Sequence, residues 1–334
     1  MVTIKAIAEK CGISVAAVSK ALNNQPGISQ EKAELVRSTA RQLGYYPNAA
    51  ARTLKTNRSY NIGVLFQDYL THEYFSQILQ SFRNEAEARG YDITFLSSDR
   101  NSGMGFYEHA KYRQCDGVVI VHGNFSMEEL QRLAESDLPL VSVDQIFMGR
   151  TAILSDNVAS MEEIVQYLYQ MGHRRIAMIH GQMGDVTRQR LSAFYRSCQA
   201  LGIDVPEEYV IPAGFHDPKA SGLATRKLMQ LAQRPTCILY PDDISYLGGM
   251  TELESQGVRV PEDISCLGYD GISMASVLRP RLTTYRQDAE EIGRKAAEQL
   301  ISAIESPKYY IPQIITVTGA IVYGDTVKRL TEPQ

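Results

Sequence analysis

Five polar residues of this 334-residue chain stand where short apolar runs give out. Asp68 follows NIGVLF, Asp156 follows TAILS, Asp242 follows CILYP, Asp270 closes SCLGYD, and Arg190 lies in the segment leading from IAMIHG into a helix. An ionised carboxylate accepts hydroxyl protons, and a guanidinium fork donates to ring and hydroxyl oxygens. Gathered at one cleft, these groups would hold a polyhydroxylated small molecule, with Tyr74 or Phe75 offering a flat face to its C–H groups. Each has an ordinary alternative. A strand-end Asp also serves as a helix cap, and Asp243 is read that way, capping ISYLGGMTELES. Arg190 also fits a structural ion pair. Tyr74 and Phe75 share a helix with Ile78, Leu79 and Phe82, which puts one of the two in the core. His173 follows Gly172, a helix stop, and is read as ending that helix rather than holding a metal. No GxSxG elbow, P-loop, GxGxxG or HExxH occurs, and clustered acids alone do not make an enzyme.

The elements that must position these groups alternate. Candidate strands are NIGVLF, DITFLSS, GVVIV, LPLVSVD, RRIAMIHG, TCILYP and DISCLGYD, and helices are predicted around 74–89, 126–135, 158–171, 187–201, 219–233, 243–256 and 288–304. Such alternation gives parallel sheets with crossover helices, whose ligands sit beyond the carboxyl ends of the strands. About 270 residues exceed one doubly wound sheet, so two α/β lobes are expected.

The first sixty residues differ in kind. Thr3 caps a helix with Ile4, Ile7 and Ala8 at helical spacing, Gly12 supplies a left-handed stop, and Ser14 caps a second helix carrying Val15, Val18, Ala21 and Leu22. Helix, glycine turn and helix within twenty residues is a helix-turn-helix signature. A third helix follows a Ser29 cap, turns Ala33, Val36, Ala40 and Leu43 inward, and stops at Gly44. The segment holds nine Lys/Arg against three Glu, leaving −10 for the remainder of a chain whose net charge is −4. A basic head on an acidic body implies that the head meets a polyanion.

From Val2 to Leu54 the sequence VTIKAIAEKCGISVAAVSKALNN…ISQEKAELVRSTARQLGYYPNAAARTL resembles the head of the lactose-repressor (LacI) family of bacterial regulators, and the rest of the chain fits the same family. The resemblance implies a small all-α three-helix DNA-binding head (1–46), a hinge helix (47–58), and an α/β body for effector binding and dimerisation (59–334). That body is similar to a periplasmic sugar-binding protein: two doubly wound parallel sheets, lobe one about 60–157 and 286–314, lobe two about 158–285 and 315–330. Thr3, Ser14, Ser19 and Asn23 match phosphate-contacting positions, and Val15, Ala16 and Lys20 match those facing base edges. Lys20 replaces a common Arg and loses bidentate reading of guanine, Ala17 replaces Thr, and Val15 and Ala16 offer only apolar contact. In the hinge Pro47 pre-sets the entry, Asn48 can cap, and Ala49, Ala50 and Ala51 favour helix. Leu54 matches a wedge that levers apart the central base step from the minor groove, and Ala51 matches a position on the groove floor. Arg52 and Lys55 flank the wedge and are taken as DNA contacts with it.

In the body, Arg190 is supported by RLSAF and Asp270 by GYDG. Asp242, in DD, stands where Asn is more frequent and loses a donor. THEYF replaces a frequent N-P-F-F, and His216 or Asp217 fills a place usually held by an aromatic. The expected effector is a neutral sugar that releases the protein from its operator, because a carboxylate-rich cleft disfavours anions. A purine-like corepressor or a phosphoprotein partner is the alternative.

Five scattered cysteines indicate neither a disulfide framework nor a zinc site, and no cofactor or metal is expected. The chain shows no signal-peptide pattern and no run of the ~18 apolar residues that spans a bilayer, which predicts a cytoplasmic protein without membrane contact. One small head buries too little DNA, so a homodimer on a palindromic operator is expected. The polar ending YGDTVKRLTEPQ carries no leucine heptads for a tetramer.

Overall fold

The computed structural model describes residues 2–22, 26–45, 53, 58–66, 72–97, 104–123 and 128–331. Contacts divide the chain into two compact units, Met1–Tyr60 and Asn61–Gln334.

The first unit holds α1 (Ile4–Cys11), α2 (Val15–Leu22) and α3 (Gln30–Gln42). Thr3 Oγ1 accepts from Ala6 N, Ser14 Oγ from Ala17 N and Ser29 Oγ from Lys32 N, so each helix begins on a hydroxyl cap. Gly12 ends α1 at φ 63°, where a side chain would be strained. Ile7, Val18, Ala21, Val36 and Ala40 close a small core between the three helices.

The second unit opens with β1 (Asn61–Phe66), α4 (Glu73–Ala88), β2 (Asp92–Phe95), α5 (Phe106–Tyr112), β3 (Gly117–His122), α6 (Glu128–Ala134), β4 (Leu140–Val143) and β5 (Thr151–Ser155). The chain then builds α7 (Asn157–Gln170), β6 (Ile176–His180), α8 (Asp185–Ala200), β7 (Val210–Pro212), α9 (Pro218–Met229), β8 (Cys237–Leu239), α10 (Asp243–Ser255), β9 (Ser265–Asp270), α11 (Ser273–Val277) and β10 (Thr283–Arg286). It returns with α12 (Ala289–Glu305) and β11 (Ile314–Val317), then ends on β12 (Ala320–Val322). Two six-stranded sheets result, ordered β11-β5-β4-β3-β1-β2 in lobe one and β12-β10-β9-β8-β6-β7 in lobe two. Every pairing is parallel except β10 with β12. The chain therefore passes between lobes three times, near 156, 287 and 318.

Both sheets are covered on two faces, which explains the continuous apolar strands. In lobe two, Ile176, Met178, Leu239, Leu267 and Tyr269 pack against α7 and α8, while Ala177, Ile179, Ile238 and Cys266 pack against α9 and α10. In lobe one α12 lies along α4 so closely that a Cβ on Gly293 would sit 2.3 Å from the Ile78 carbonyl oxygen.

Five strands and two helices lay outside the expected set: β5, whose TAILS run was read only as the approach to Asp156, with β7, β10, β11 and β12, and α5 and α11. Each is short, and β11 and β12 alternate exposed with covered positions instead of forming an apolar run. His173 does follow the end of α7, but as a buried strut between Thr236 Oγ1 at 2.9 Å and the Lys328 carbonyl at 3.2 Å.

Candidate functional site

On the head, the start of α2 presents Ser14, Val15 and Ala16 to solvent, with Lys20 exposed and Ser19 half-buried. Val15 keeps 44% of its surface accessible although Val18, one turn on, is fully buried. An apolar side chain left outside at a helix N-terminus, beside a lysine, makes a face able to enter a groove and meet methyl groups. Thr3 is exposed as well. Asn23, Asn48, Ala51, Arg52, Leu54 and Lys55 lie outside the described residues, as does Asp68 in the body.

The second site is the cleft between the lobes. Asp270 ends β9 at φ 97°, a left-handed geometry rare for anything but glycine. Asp144, just past β4, and His216 also hold positive φ, both at 54°. Such strain gathers where surrounding structure over-determines a conformation, which is the habit of binding sites.

Arg190 is buried and held on three sides. Its Nε donates to Asn157 Oδ1 at 2.8 Å, its Nη1 donates to the Pro241 carbonyl at 3.2 Å, and its guanidinium lies 3.5 Å above the Tyr269 ring. Nη2 makes no hydrogen bond among the described residues and remains a donor in reserve. Gln287 Nε2 donates to Asp270 Oδ1 at 2.6 Å. The His72 and His216 Nε2 atoms each stand 4.0 Å from Asp270 Oδ2, and their rings are tilted at 49° with centroids 3.7 Å apart. Burial, helped by the charge of Asp242 and opposed by Arg190, pushes the Asp270 carboxyl up to about 7.

Across the cleft, Tyr74 OH donates to Asp144 Oδ2 at 3.1 Å and lies 3.4 Å from Ser155 Oγ. Phe75 packs on His122, ring centroids 4.5 Å apart, and on His72 at 5.0 Å. Both aromatics are buried in the core, which meets the expectation that one of them belongs to it, and both also touch the polar groups gathered here. Burial, then the Asp144 charge, raise the Tyr74 phenol well above its ordinary value, so it stays a donor.

Three of the candidate acids serve helices. Asp156 accepts from Ala159 N on α7, Asp217 from Ala220 N on α9, and Asp242 from Ser245 N on α10. Asp242 also accepts the His216 N–H at 2.9 Å and so anchors the loop that carries the imidazole. The reading of Asp243 as the cap of α10 is overturned, because its neighbour takes that place. Asp243 is buried and accepts from Thr284 Oγ1 and Ile272 N, at 2.6 and 2.9 Å. Its Oδ1 comes so near β9 that a Cβ on Gly268 would clash at 2.2 Å.

His72, His122, Asp144, Ser155, Asn157, Tyr269 and Gln287 join the cleft without having been singled out. His122 and Asp144 stand at strand ends, so the rule that found Asp270 would have found them. Gln287 follows β10, a strand too short to be read, and His72 precedes α4 with no pattern of its own. The arrangement gathers carboxylates, a guanidinium whose Nη2 has no hydrogen bond among the described residues, and aromatic faces where the two lobes meet. That is equipment for reversible binding of a small polar molecule.

Residues 3–48 match the family described as bacterial regulatory proteins, lacI family, and residues 165–327 match the periplasmic binding protein-like domain. The probable HTH-type transcriptional repressor ExuR of Bacillus subtilis is 30% identical over 338 residues, spanning 99% of this chain and 100% of that protein. The HTH-type transcriptional repressor PurR of Vibrio cholerae is 30% identical over 346 residues, with 99% and 100% covered. The lac repressor dimer bound to operator and the anti-inducer ONPF superposes with a TM-score of 0.77 at 22% identity, over 98% of this chain and 99% of that one. The complex of the transcriptional regulator CelR with cellobiose gives 0.70 at 23% identity, over 98% and 100%.

Proposed function

The chain belongs to the lacI family of bacterial regulatory proteins, and from that membership we propose a homodimeric repressor that binds a palindromic operator and leaves it when a neutral sugar enters the cleft. It is a DNA-binding transcriptional regulator with an effector domain, and its relatives are regulators rather than enzymes. No helix among the described residues is long and apolar enough to cross a membrane.

On this reading Val15, Ala16 and Lys20 face base edges, while Thr3, Ser14, Ser19 and Asn23 hold phosphates. Asn48, Ala51, Arg52, Leu54 and Lys55 act from the minor groove. Leu54 unstacks a base step at a cost of a few kcal/mol, offset by contacts that bent DNA permits.

The observation that carries the effector reading is Arg190 fixed on Tyr269 with Nη2 left over, facing the same cleft as Asp270. A ring hydroxyl bridging guanidinium and carboxylate satisfies both at once. Among proteins of similar fold, CelR holds cellobiose and an Enterococcus faecium regulator holds ribose. One observation favours a second reading: the PurR relatives, together with the flat faces of Phe75 and Tyr269, suit a purine-like corepressor.

Operator selection from a random DNA pool, followed by anisotropy titration with sugars and with purines, tests both. Loss of operator affinity with a neutral sugar supports release. A gain of affinity with a purine would replace it with corepression, and indifference to every DNA sequence would refute the regulator reading itself.

A further inference from the structure

We infer that His72, His216 and Asp270 form a site for a borderline divalent transition metal, with zinc as the reference ion, that joins the two lobes across the cleft. One ligand atom from each residue can be chosen so that all three lie within 4.8 Å of one another. His72 comes from lobe one, at the N-cap position of α4, and His216 and Asp270 come from lobe two. Bonds of ~2.0–2.2 Å to a tetrahedral zinc place ligand atoms about 3.4 Å apart. The present 4.0 Å separations from Asp270 Oδ2 to each Nε2 must shorten by about 0.6 Å, and the two imidazoles, now tilted at 49° with centroids 3.7 Å apart, must swing apart until both lone pairs meet at one point.

Three further features point the same way. The carboxylates of Asp242, Asp243 and Asp270 are all buried on lobe two, as is the guanidinium of Arg190. Carboxylates taken out of water need counter-charge, and a dication held by two neutral imidazoles provides it. Asp270 already has the outer partner that orients a ligating carboxylate, since its other oxygen accepts from Gln287 Nε2. The two lobe-two ligands are both held at positive φ, as Asp144 is on lobe one, and strain of this kind is kept where a side chain must be aimed. Two imidazole nitrogens and one carboxylate oxygen suit zinc, cobalt or nickel, whereas calcium and magnesium take oxygen ligands. Three protein ligands leave a coordination position open. In the cleft proposed above as the effector site, that position falls to an effector or water oxygen, and this last step alone rests on that reading.

The full-length protein, freed of metal by a chelator, is titrated with Zn²⁺ and separately with Co²⁺. The expected result is one equivalent per chain, with the visible d–d absorption of low-symmetry, four-coordinate cobalt. His72→Gln and His216→Gln should each weaken Zn²⁺ binding at least about tenfold and abolish the cobalt spectrum, with folding checked by circular dichroism. His109→Gln should change neither. Wild type that takes up no equivalent at micromolar free metal, or folded variants that bind as wild type does, would overturn the site. Wild type that ignores metal yet still answers a neutral sugar overturns the metal site and leaves the effector reading standing.

Discussion

A lysine at position 190 would keep the charge of Arg190 and lose nearly everything else. The bond from Nε to Asn157, the bond from Nη1 to Pro241 and the stack on Tyr269 all require the planar fork. Arg190→Lys is therefore expected to weaken effector binding at least about tenfold, the loss of one well-made charged hydrogen bond, while operator affinity without effector stays within about twofold. Calorimetry and anisotropy on the same preparation check this. Leu54→Ala is the complementary case: it should weaken specific operator binding and leave effector binding untouched. These residues were not equally legible. Arg190, inside α8, and Asp270, closing β9, stand out through RLSAF and GYDG, the stretches that carry the family resemblance in the body. Asp156, Asp217 and Asp242 do not, because a cap and a ligand contact call for the same residue at the same place. His72 and Gln287 reach Asp270 across long stretches of chain, and no local spacing announces a contact of that range.

Helices in this fold approach each other through glycine. A Cβ on Gly248 of α10 would fall 1.7 Å from the Pro218 carbonyl oxygen of α9, and one on Gly293 would meet backbone of α4. Gly248→Ala and Gly293→Ala should each lower stability by about 2 kcal/mol or more, because backbone cannot yield as a side-chain tip can. Gly184→Ala, with open space around its Cβ position, should be close to neutral in the same denaturant titration. Acid acts on another element joint. Burial holds the His173 imidazole down to about 4, against the Lys328 carbonyl bond that favours its charged form. The unfolded chain takes up that proton near 6.5, so between these values the unfolded state binds more protons. The contribution is whole above about 6.5 and drains away as pH falls towards 4. Relative to His173→Gln, wild type should lose of order 2–3 kcal/mol over that window. The helices of the head and the long helices of the body were legible from caps and apolar spacing. The short strands β7, β11 and β12 were not, because three or four partly exposed residues carry no period and only an existing sheet edge makes them strands; β10 is buried between β9 and β12, but TTYR is too short and too polar to read as an apolar run.

The two lobes of the body are clasped at their rims. Glu73, on lobe one, accepts from the Ser273 N–H at 2.8 Å and the Ser273 hydroxyl at 2.7 Å on lobe two. These bonds are exposed, so together they are worth about 1 kcal/mol, a factor of about five in the balance between closed and open clefts. If a sugar is bound by the closed form, weakening the clasp reduces the fraction of protein ready to receive it, and apparent affinity falls by that fraction. Linkage fixes the other half of the outcome. A form that binds effector and releases DNA becomes rarer when the clasp is lost, so operator affinity must rise as effector affinity falls. Glu73→Ala is thus expected to raise the effector Kd and lower the operator Kd, each severalfold, and to enlarge the radius of gyration of the effector-free protein in solution scattering. Both affinities unchanged would show that the clasp does not govern closure. Both weakened together would show that Glu73 serves the fold instead. Opposite shifts of similar size would show that this clasp biases the balance between the closed, effector-binding form and the open, operator-binding one.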